Sequence, residues 1–316
     1  MKLAVSILNY RTPELTVKAV DATILALANM KEEWRILVVD NDSQDASEEK
    51  LRTTTADKQR LNRFGWDKVE VHQTGHNGGF GAGNNFAIQY AREQFHDLEY
   101  VYVLNSDAFP DEDAIQQLVS FLDQHTNYGF AGSYIYGTDG TPHETAFRFP
   151  NALGEFEGAA RFGPISKLLK NHIVPLGILE QSRDVDWLAG ASMLMRMKAL
   201  EEIGVFDETF FLYFEETDLC LRAKRLGWPI RYVLESKVAH IGSASTGMSK
   251  WDRIPTYWLD SRKYYFKKNH GRLYFTLATI LRVAGGCFYS LRCLIERKEN
   301  PDPRRFLRDM ISHAFS

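Results

Sequence analysis

Five side chains stand where acid–base or metal chemistry could occur. Asp107 directly follows an apolar run, and a carboxylate in that position can bind a divalent cation. Glu215, Glu216 and Asp218 lie at the start of a predicted helix, after an aromatic run. The helix dipole favours their ionised form whereas an apolar wall raises their pKa values, so one of them could deprotonate a hydroxyl group. His240 could complete a metal site with Asp107.

Each of these residues also has a structural interpretation. Asp107 could cap a turn, and acidic residues are common in the first turn of a helix for electrostatic reasons alone. Asp218 and Arg222 are spaced i,i+4 and could form an ion pair on the helix surface. A single histidine such as His240 is more often structural than a metal ligand. Whether each residue has a chemical or a structural role depends on the helices and strands that position it.

Two further segments could bind a nucleotide. The run Asn-Gly-Gly-Phe-Gly-Ala-Gly at 77–83 allows close backbone approach and could expose N–H groups to a phosphate or a sugar. It lacks the GxGxxG pattern of a Rossmann oxidoreductase and the Lys-Ser/Thr of a P-loop, and a flexible turn is its structural alternative. Asp40 could bind a base or ribose, or could belong to a helix cap with Asp42 or Ser43.

Four apolar runs alternate with helical segments in the first third of the chain, as in a parallel sheet with helices on both faces. The runs span residues 3–8, 35–39, 69–71 and 100–104, and helical patterns follow from Pro13, up to about residue 61, and from near Asn84. Ligands of such sheets lie beyond the carboxyl ends of the strands, where the polar residues of this chain are found. Those residues are Asn9, Asp40, Asn77 and Asp107.

The alternation is lost over residues 137–185, which we interpret as an excursion beside the active site. Gly227 ends the helix that begins with the acidic cluster. Later elements are predicted as a strand-like stretch at 185–197, this helix at 214–226, a short strand at 230–233, and helices at 257–268 and 273–295.

The composition fits a globular protein without a nucleic-acid partner. The 316 residues are 44% hydrophobic, enough for a full core, and the net charge is −3. Three cysteines without a CxxC pair fit a reducing cytoplasm and argue against a disulfide framework or a zinc site. The apolar run at the N-terminus is too short for a signal peptide. We therefore expect a cytoplasmic location.

The last 66 residues differ in charge, with 13 Lys and Arg against 6 Asp and Glu, whereas the remainder has a net charge of −10. A basic, aromatic tail suggests an anionic membrane surface as partner. Arg282 and Arg292 interrupt its apolar run and Gly285-Gly286 weakens it as a helix, so a transmembrane span is not expected. An interfacial helix on the inner face of the cell membrane is one interpretation, and a helix packed on the core or in a homodimer is the other.

Six segments occur in the order found in glycosyltransferase family 2, and the chain resembles this family over about residues 1–245. The segments are 5–10, 38–41, 77–84, 104–107, 186–191 and 214–222. The resemblance is closest to bacterial rhamnosyltransferase-like members. It implies the α/β fold called GT-A, with a Rossmann-like, mostly parallel sheet, over residues 1–250. The nucleotide-binding half would be 1–110, the acceptor and catalytic half 111–250, and a helical extension 251–316.

The resemblance also implies roles for single residues. Asp107 matches the last Asp of the family's DxD motif, with Asn105 in place of the first, and would bind Mg²⁺ or Mn²⁺ together with His240. Glu216 stands where the family usually has the aspartate that acts as general base. Because Glu is one methylene longer, Glu215 or Asp218 could take this role. The donor would contact Asn9, Tyr10, Asp40, Asn77, Gly79, Gly83, Asn84, Asn105, Ser106 and Asp107, and the acceptor Arg148, Trp187 and Gly190.

The implied activity is that of an inverting hexosyltransferase. It would move a sugar, rhamnose by resemblance, from a dTDP- or UDP-linked donor to a hydroxyl of a glycan or lipid-linked acceptor in cell-surface polysaccharide synthesis. The metal and the N–H groups of the glycine-rich run would stabilise the departing diphosphate while Glu216 removes the proton. A catalytically inactive nucleotide-sugar-binding protein is the alternative, against which the retained Asp107 and Glu216 argue.

Overall fold

A nine-stranded mixed sheet with helices on both faces forms the body of the protein, seen in a computed structural model that describes residues 1–242 and 251–315. The strands are β1 Leu3–Asn9, β2 Trp34–Asp40, β3 Val69–Gln73, β4 Tyr100–Asn105, β5 Ala108–Pro110, β6 Phe130–Tyr136, β7 Ala146–Phe147, β8 Arg183–Val185, β9 Trp187–Leu188, β10 Ser192–Arg196 and β11 Ile230–His240. The helices are α1 Pro13–Ala26, α2 Ser47–Arg60, α3 Gly79–Gln94, α4 Ala114–Gln124, α5 Ala152–Ala160, α6 Gly163–Leu168, α7 Met197–Ile203, α8 Glu215–Arg225, α9 Thr256–His270, α10 Arg272–Glu296 and α11 Phe306–Ala314, with a short 3₁₀ helix at Trp66–Lys68.

Strand order in the sheet is β3-β2-β1-β4-β10-β6-β11-β5, with β8 also paired to β11 and β7 paired to β9 in a small separate ribbon. The first four strands are mutually parallel, and β6 and β11 run in the same direction. β10, β5 and β8 run against them. Six of the nine strands thus share one direction, which confirms the predicted α/β fold with a mostly parallel sheet.

Alternate residues of each central strand enter two different cores. In β1, Leu3, Val5 and Ile7 pack with α1, α2 and α4, whereas Ala4 packs on the side of α3, α7 and α8. Both faces are covered, so these strands are apolar at nearly every position. The carboxyl ends of β1 and β2 lie side by side, with Asn9 opposite Asp40 in register.

Several elements extend beyond or differ from the sequence prediction. α3 begins at Gly79 rather than near Asn84, so the glycine-rich run forms its first turns. β11 continues to His240 instead of ending at residue 233, and the 185–197 stretch contains the two short strands β9 and β10. α4, β6 and α11 have no counterpart in the prediction, and the excursion at 137–185 contains β7, α5 and α6.

The C-terminal helices pack on one another and on α5. Arg262 of α9 and Glu155 of α5 form a buried ion pair, with Nη2 and Oε2 2.6 Å apart. Gly285 and Gly286, which are expected to weaken α10 as a helix, allow α5 and α11 to pack closely against it. A Cβ at Gly285 would lie 2.5 Å from a carbonyl oxygen of α5, and one at Gly286 would lie 2.6 Å from a side chain of α11.

By length and composition alone, α10 is the one helix among those described that could cross a membrane, although its inner face packs on α5 and α11. The domain boundary predicted at residue 250 lies at the edge of residues 243–250, outside the described part of the chain. The division into domains therefore stays a prediction.

Candidate active site

The ends of β1 and β2 are joined by a buried hydrogen-bond network. Asn9 Nδ2 and Ser43 Oγ both donate to Asp40 Oδ1 at 2.6 Å, and the Ser43 N–H donates to Asp40 Oδ2 at 3.1 Å. Thr16 Oγ1 donates to Asn9 Oδ1 at 2.7 Å. Asn9 and Asp40 are buried and fix the conformation of the strand ends, and their contact with a nucleoside stays a prediction.

Asn41 belongs to this site although the sequence prediction selected only its neighbour Asp40. Its Nδ2 donates to Asn77 Oδ1 at 3.0 Å and to the Gly79 carbonyl at 3.1 Å. Thr74 Oγ1 donates to Asn41 Oδ1 at 3.3 Å. Asn41 therefore ties the end of β2 to the glycine-rich run, and its position in the polar stretch after β2 was the available signal.

The start of the glycine-rich run packs closely against the segment that precedes α8. The Phe80 N–H donates to the Phe211 carbonyl at 3.0 Å, and the Gly79 N–H donates to Asn77 Oδ1 at 3.0 Å. Gly79 has a φ of +89°, and a Cβ there would lie 1.8 Å from the Phe211 oxygen. The N–H groups of Gly79 and Phe80 thus have partners inside the protein, and binding of the diphosphate by this run stays a prediction. Gly79 brings the start of α3 against the segment that precedes α8.

Asn84 and Gly83 face the protein interior, and their predicted contact with the donor stays a prediction. Asn84 is fully buried, accepts a hydrogen bond from Ser6 Oγ at 2.8 Å and donates to the Phe80 carbonyl at 3.0 Å. A Cβ at Gly83 would lie 2.4 Å from Leu8 Cδ1. Both positions lie beyond the first turn of α3 and point towards β1, because the helix begins earlier than predicted.

Asp107 and His240 meet at the end of β4. The antiparallel pairing of β5 and β11 sets His240 opposite residue 108, and its Nε2 lies 3.0 Å from Asp107 Oδ1 and 3.3 Å from Asn105 Nδ2. Ser106 Oγ lies 3.0 Å from Thr12 Oγ1. The structure thus unites two residues that are 133 positions apart in the chain.

A divalent cation fits this pair as one part of its coordination shell. Within the described residues, no cluster of three or more His, Cys, Asp or Glu side chains forms a complete cage. Mg²⁺ is commonly held by one or two protein ligands together with substrate phosphates and water. A carboxylate and an imidazole 3.0 Å apart at the strand ends match this open type of site.

Glu215 and Glu216 begin α8, directly after two residues in a strained backbone conformation. Tyr213 and Phe214 have φ values of 70° and 69°, the left-handed region that side chains other than glycine rarely adopt. The Phe214 ring packs 5.4 Å from the Tyr265 ring of α9. Two consecutive residues of this kind cost stability and persist only where packing enforces them, which is frequent at active sites.

The two glutamates differ in their surroundings. Glu215 is 2% exposed, and burial together with the neighbouring Glu216 raises its pKa well above the ordinary value. Glu216 is partly buried, and its Oε1 lies 3.9 Å from the Cβ position of Gly190. In both glutamates, Oε2 has no hydrogen-bond partner among the described residues. Burial raises the pKa of Glu216 as well, against the opposing effect of backbone N–H groups of Glu216 and Gly190.

Asp218 is fully occupied by structural contacts. Its Oδ2 lies 2.8 Å from Arg222 Nε and 2.8 Å from Lys268 Nζ, and Asn269 Nδ2 donates to its Oδ1 at 2.9 Å. The carboxylate is completely buried. It joins α8 to α9, which agrees with the predicted Asp218–Arg222 pair and adds two partners from the C-terminal helices.

The residues predicted to contact the acceptor are close to one another. Trp187 stacks on Phe147 at 4.2 Å between ring centroids and donates from Nε1 to the Arg148 carbonyl at 2.9 Å. Arg148 Nη1 donates to the Ile173 carbonyl at 2.9 Å, so its guanidinium is partly committed. Gly190 lies beside Phe80 and Glu216, where a Cβ would be 2.9 Å from Phe80 Cζ.

On the donor side, Tyr10 lies at the end of β1 and is partly exposed. The Arg11 guanidinium lies 5.1 Å over its ring, and Arg11 Nε donates to the Ser43 carbonyl at 2.9 Å. An aromatic ring and a cation at the strand ends suit a base and a phosphate.

Known proteins resemble this chain in sequence and in fold. A family model for glycosyl transferase family 2 matches residues 9–204. The low-salt glycan biosynthesis hexosyltransferase Agl10 of Haloferax volcanii is 26% identical over 94% of this chain and 86% of its own length. The N-acetylglucosaminyl-diphospho-decaprenol L-rhamnosyltransferase of Mycobacterium tuberculosis is 28% identical over 67% of this chain and 68% of its own.

A solved structure of GalNAc-T7 with UDP, GalNAc and Mn²⁺ superposes with a TM-score of 0.55 at 14% identity. The superposition covers 99% of this chain and 54% of the longer GalNAc-T7 chain, and it shows a similarity of fold. The family match spans well over half of the residues, including the first strand end and the DxD-like segment. The chain therefore belongs to glycosyl transferase family 2, and it is a glycosyltransferase with a GT-A-like fold.

Proposed function

We propose that this glycosyltransferase is inverting and that Glu216 is its general base. A single observation supports this most directly: Glu216 lies beside Gly190 at the start of α8, is less buried than Glu215, and has a pKa that burial raises. A carboxylate with a raised pKa is a better base than one of ordinary acidity, provided that it stays ionised at the working pH.

The other two acidic residues suit this role less well. Asp218 is fully buried, and both of its carboxylate oxygens are held by Arg222, Lys268 and Asn269, so it is not open to a substrate. Glu215 is buried to 2% exposure, and its side chain borders Gly81 in the packed interior. Glu216 is the more accessible of the pair and lies beside a residue predicted to contact the acceptor.

The donor is proposed to be a nucleoside diphosphate sugar bound at the ends of β1, β2 and β4. Tyr10 and Arg11 would contact the nucleoside and its phosphates, while Asn41 holds the loop that closes this side. The solved structure of GalNAc-T7 contains UDP, and two relatives are named as rhamnosyltransferases, the Mycobacterium tuberculosis protein and WbbL of Escherichia coli. We therefore propose a dTDP- or UDP-linked sugar, with dTDP-rhamnose as the first donor to test.

Asp107 and His240 would hold Mg²⁺ or Mn²⁺ together with the diphosphate of the donor. When bound, the ion would neutralise the negative charge that develops on the departing diphosphate. Asn105 Nδ2 lies 3.3 Å from His240 Nε2, at the edge of this site. The protein's own contribution is to keep both ligands at the end of β4, next to the donor side.

The proposed reaction is one displacement at the anomeric carbon. Glu216 accepts the proton of the acceptor hydroxyl, and that oxygen forms a bond to the anomeric carbon as the bond to the diphosphate breaks. The bonding pair leaves with the nucleoside diphosphate, and the proton later passes from Glu216 to solvent. Attack from the face opposite the leaving group inverts the configuration of the sugar.

The acceptor and the cellular role follow from the relatives' names alone. One relative acts in low-salt glycan biosynthesis, and another carries the name of a decaprenol-linked rhamnosyltransferase. We propose a glycan or lipid-linked acceptor in cell-surface polysaccharide synthesis, at the cytoplasmic face of the membrane. The aromatic pair Phe147–Trp187 would provide a surface for a sugar ring of this acceptor.

A donor-hydrolysis screen with nucleotide sugars, followed by product analysis with NMR, tests the proposal. We expect turnover with one donor class, its loss in EDTA, an inverted product, and a drop of about 10²–10⁴-fold in Glu216→Gln. Glu215→Gln is the matched control and should keep most of the activity. A retained configuration or an active Glu216→Gln enzyme contradicts the mechanism, and nucleotide binding without turnover would favour the inactive binding protein.

A further inference from the structure

A bulge divides the long strand β11 into two parts. Val233 lies opposite Ser133 of β6, whereas Lys237 lies opposite the next residue of β6. Residues 234–236 are therefore extra in β11 and form the bulge. The first part of β11 pairs with β6 and β8, and the second part pairs with β6 and β5. His240 belongs to the second part, opposite residue 108 of β5.

The bulge determines where His240 lies along the sheet. An unbroken register would set residue 236 opposite Tyr136, but the structure has Ala239 there. Because extended chain rises about 3.3 Å per residue, His240 would otherwise lie about 10 Å from its present place. The 3.0 Å contact between His240 and Asp107 therefore depends on the bulge.

The bulge also determines which way the later side chains point. Side chains an even number of residues apart share one face of a regular strand. Tyr232 packs in the core on the α3 side of the sheet, whereas Val238 packs in the core beside α4. The bulge thus turns β11 over between these two residues, before the strand reaches the metal site proposed above.

Two serines hold the bulge in place. Ser236 Oγ donates to the Ala114 carbonyl at the start of α4 at 2.8 Å and lies 2.7 Å from Ser133 Oγ. Ser236 is fully buried. On the outer side of the bulge, the Leu234 N–H donates to Ser182 Oγ at 2.8 Å. The bulge is therefore attached to α4 and β6 on the inside and to the segment before β8 on the outside.

The inner attachment is the end of a buried chain of hydroxyl groups that crosses the sheet. Ser133 Oγ lies 2.6 Å from Ser192 Oγ, which lies 2.7 Å from the Tyr102 hydroxyl oxygen. Because the α4 carbonyl can only accept, each hydroxyl donates to the next one, from Tyr102 towards Ser236. The chain begins in β4, which leads to Asp107, and ends in β11.

We propose that Ser236 is a positioning residue for the metal site. It fixes the bulge to α4 and β6, and it thereby holds His240 in the register that reaches Asp107. This role rests on the proposed function of Asp107 and His240 as metal ligands. Removal of a group that orients metal ligands typically lowers the metal affinity by about 10–100-fold.

A general contribution to stability is the alternative role of Ser236, and Ser192 provides the matched control. Ser192 is also buried, and its hydroxyl also has two partners in the chain. Its strand β10, however, pairs with β4 and β6 in an unbroken register. A purely stabilising chain predicts equal effects of Ser192→Ala and Ser236→Ala. Positioning by the bulge predicts that only Ser236→Ala changes the metal affinity.

Mn²⁺ binding by the whole chain in the presence of UDP tests the proposal, with free Mn²⁺ measured by electron paramagnetic resonance. Ser236→Ala should bind Mn²⁺ about tenfold or more weakly than wild type, and Ser192→Ala should stay within about twofold of wild type. Urea unfolding should show a similar loss of stability in both variants. Wild-type affinity in Ser236→Ala overturns the proposal, and so does an equal loss of affinity in the two variants.

Asp107→Asn separates this proposal from the proposed function. If Asp107→Asn binds Mn²⁺ as wild type does, the metal site is wrong and the role of Ser236 falls with it. Loss of binding in Asp107→Asn alone refutes only the role of Ser236. Ser182→Ala releases the outer side of the bulge, lies outside the buried chain, and should weaken Mn²⁺ binding in the same direction. If Ser236→Ala does not fold, wild-type affinity in Ser182→Ala overturns the proposal.

Discussion

Gly79→Ala adds a single methyl group, and its effects on stability and on kcat test how the glycine-rich run positions the proposed base. Its Cβ in Gly79→Ala would lie 1.8 Å from the Phe211 oxygen, whereas real Cβ contacts are not shorter than 3.0 Å. The 210–214 segment would have to retreat by about 1.2 Å or more. That segment leads directly into Glu215 and Glu216, so the proposed base would move with it.

The expected magnitudes follow from these two effects. Alanine at a φ of +89° costs about 1–3 kcal/mol in unfolding free energy. A displacement of about 1 Å at a catalytic group can lower the rate by about 10²-fold. Gly79→Ala should therefore lose about 10²-fold in kcat and more stability than strain alone explains.

Gly227→Ala is the control for backbone strain. Gly227 lies at the far end of α8 with a φ of +85°, and nothing lies within 4 Å of its Cβ position. It should lose the same 1–3 kcal/mol in urea unfolding but keep its kcat. If Gly79→Ala matches Gly227→Ala in stability and keeps kcat within twofold of wild type, the proposed link between the glycine-rich run and the base is refuted.

Three further outcomes are expected. The acid limb of the kcat–pH profile should have a midpoint above 4.5, the ordinary glutamate value, because burial raises the pKa of Glu216; a midpoint at or below 4.5 excludes it as the base. The pKa of Glu215 is higher in the folded than in the unfolded state, so wild-type stability falls as the pH rises through the folded-state pKa. Thermal melts should therefore show that Glu215→Gln is stabilised relative to wild type at pH 8 and not at pH 4. Arg262→Met leaves Glu155 buried without its partner and should cost about 3–5 kcal/mol in urea unfolding, most of which Arg262→Met/Glu155→Gln should recover.

The positions of the strand ends were accessible from sequence because apolar runs and polar stops mark them directly. The structure places Asn9 opposite Asp40, as the predicted parallel sheet requires. It brings His240 within 3.0 Å of Asp107 because β11 continues beyond its predicted end at residue 233. The start of α3 and the side of the helix that faces the interior could not be predicted in the same way. Glycines usually indicate a loop, so the helix was expected to begin near Asn84, whereas contacts with Phe211 and Leu8 keep the run helical.

Hydrogen-bond partners across the sheet were the least predictable feature. A sequence shows that Asp40 and Asn84 are polar, but it does not show that Ser43 and Ser6 will satisfy them inside the protein. Such pairings depend on strand register and helix rotation, because one residue along a helix turns a side chain by about 100°. The same reason hid Asn41, whose partners lie 36 and 38 residues away.

Asp218 gives the clearest distinction between a base and a residue that positions one. If it were the base, Asp218→Asn would abolish turnover and remove the acid limb of the kcat–pH profile, as Glu216→Gln should. Its contacts predict another result. Arg222 and Lys268 would lose their shared carboxylate, and unfolding free energy should fall by about 3–5 kcal/mol because buried charges lose their partner.

Measured well below the melting temperature, Asp218→Asn should therefore keep the wild-type acid limb with a reduced kcat, since α8 is less firmly held. Lys268→Met should show the same pattern more weakly, because Lys268 is partly exposed and Arg222 remains. Loss of the acid limb in Asp218→Asn alone would assign the base to this residue instead. Because Asp218 bonds to both Lys268 and Asn269, the C-terminal helices hold the helix that carries Glu216, and catalysis should depend on them.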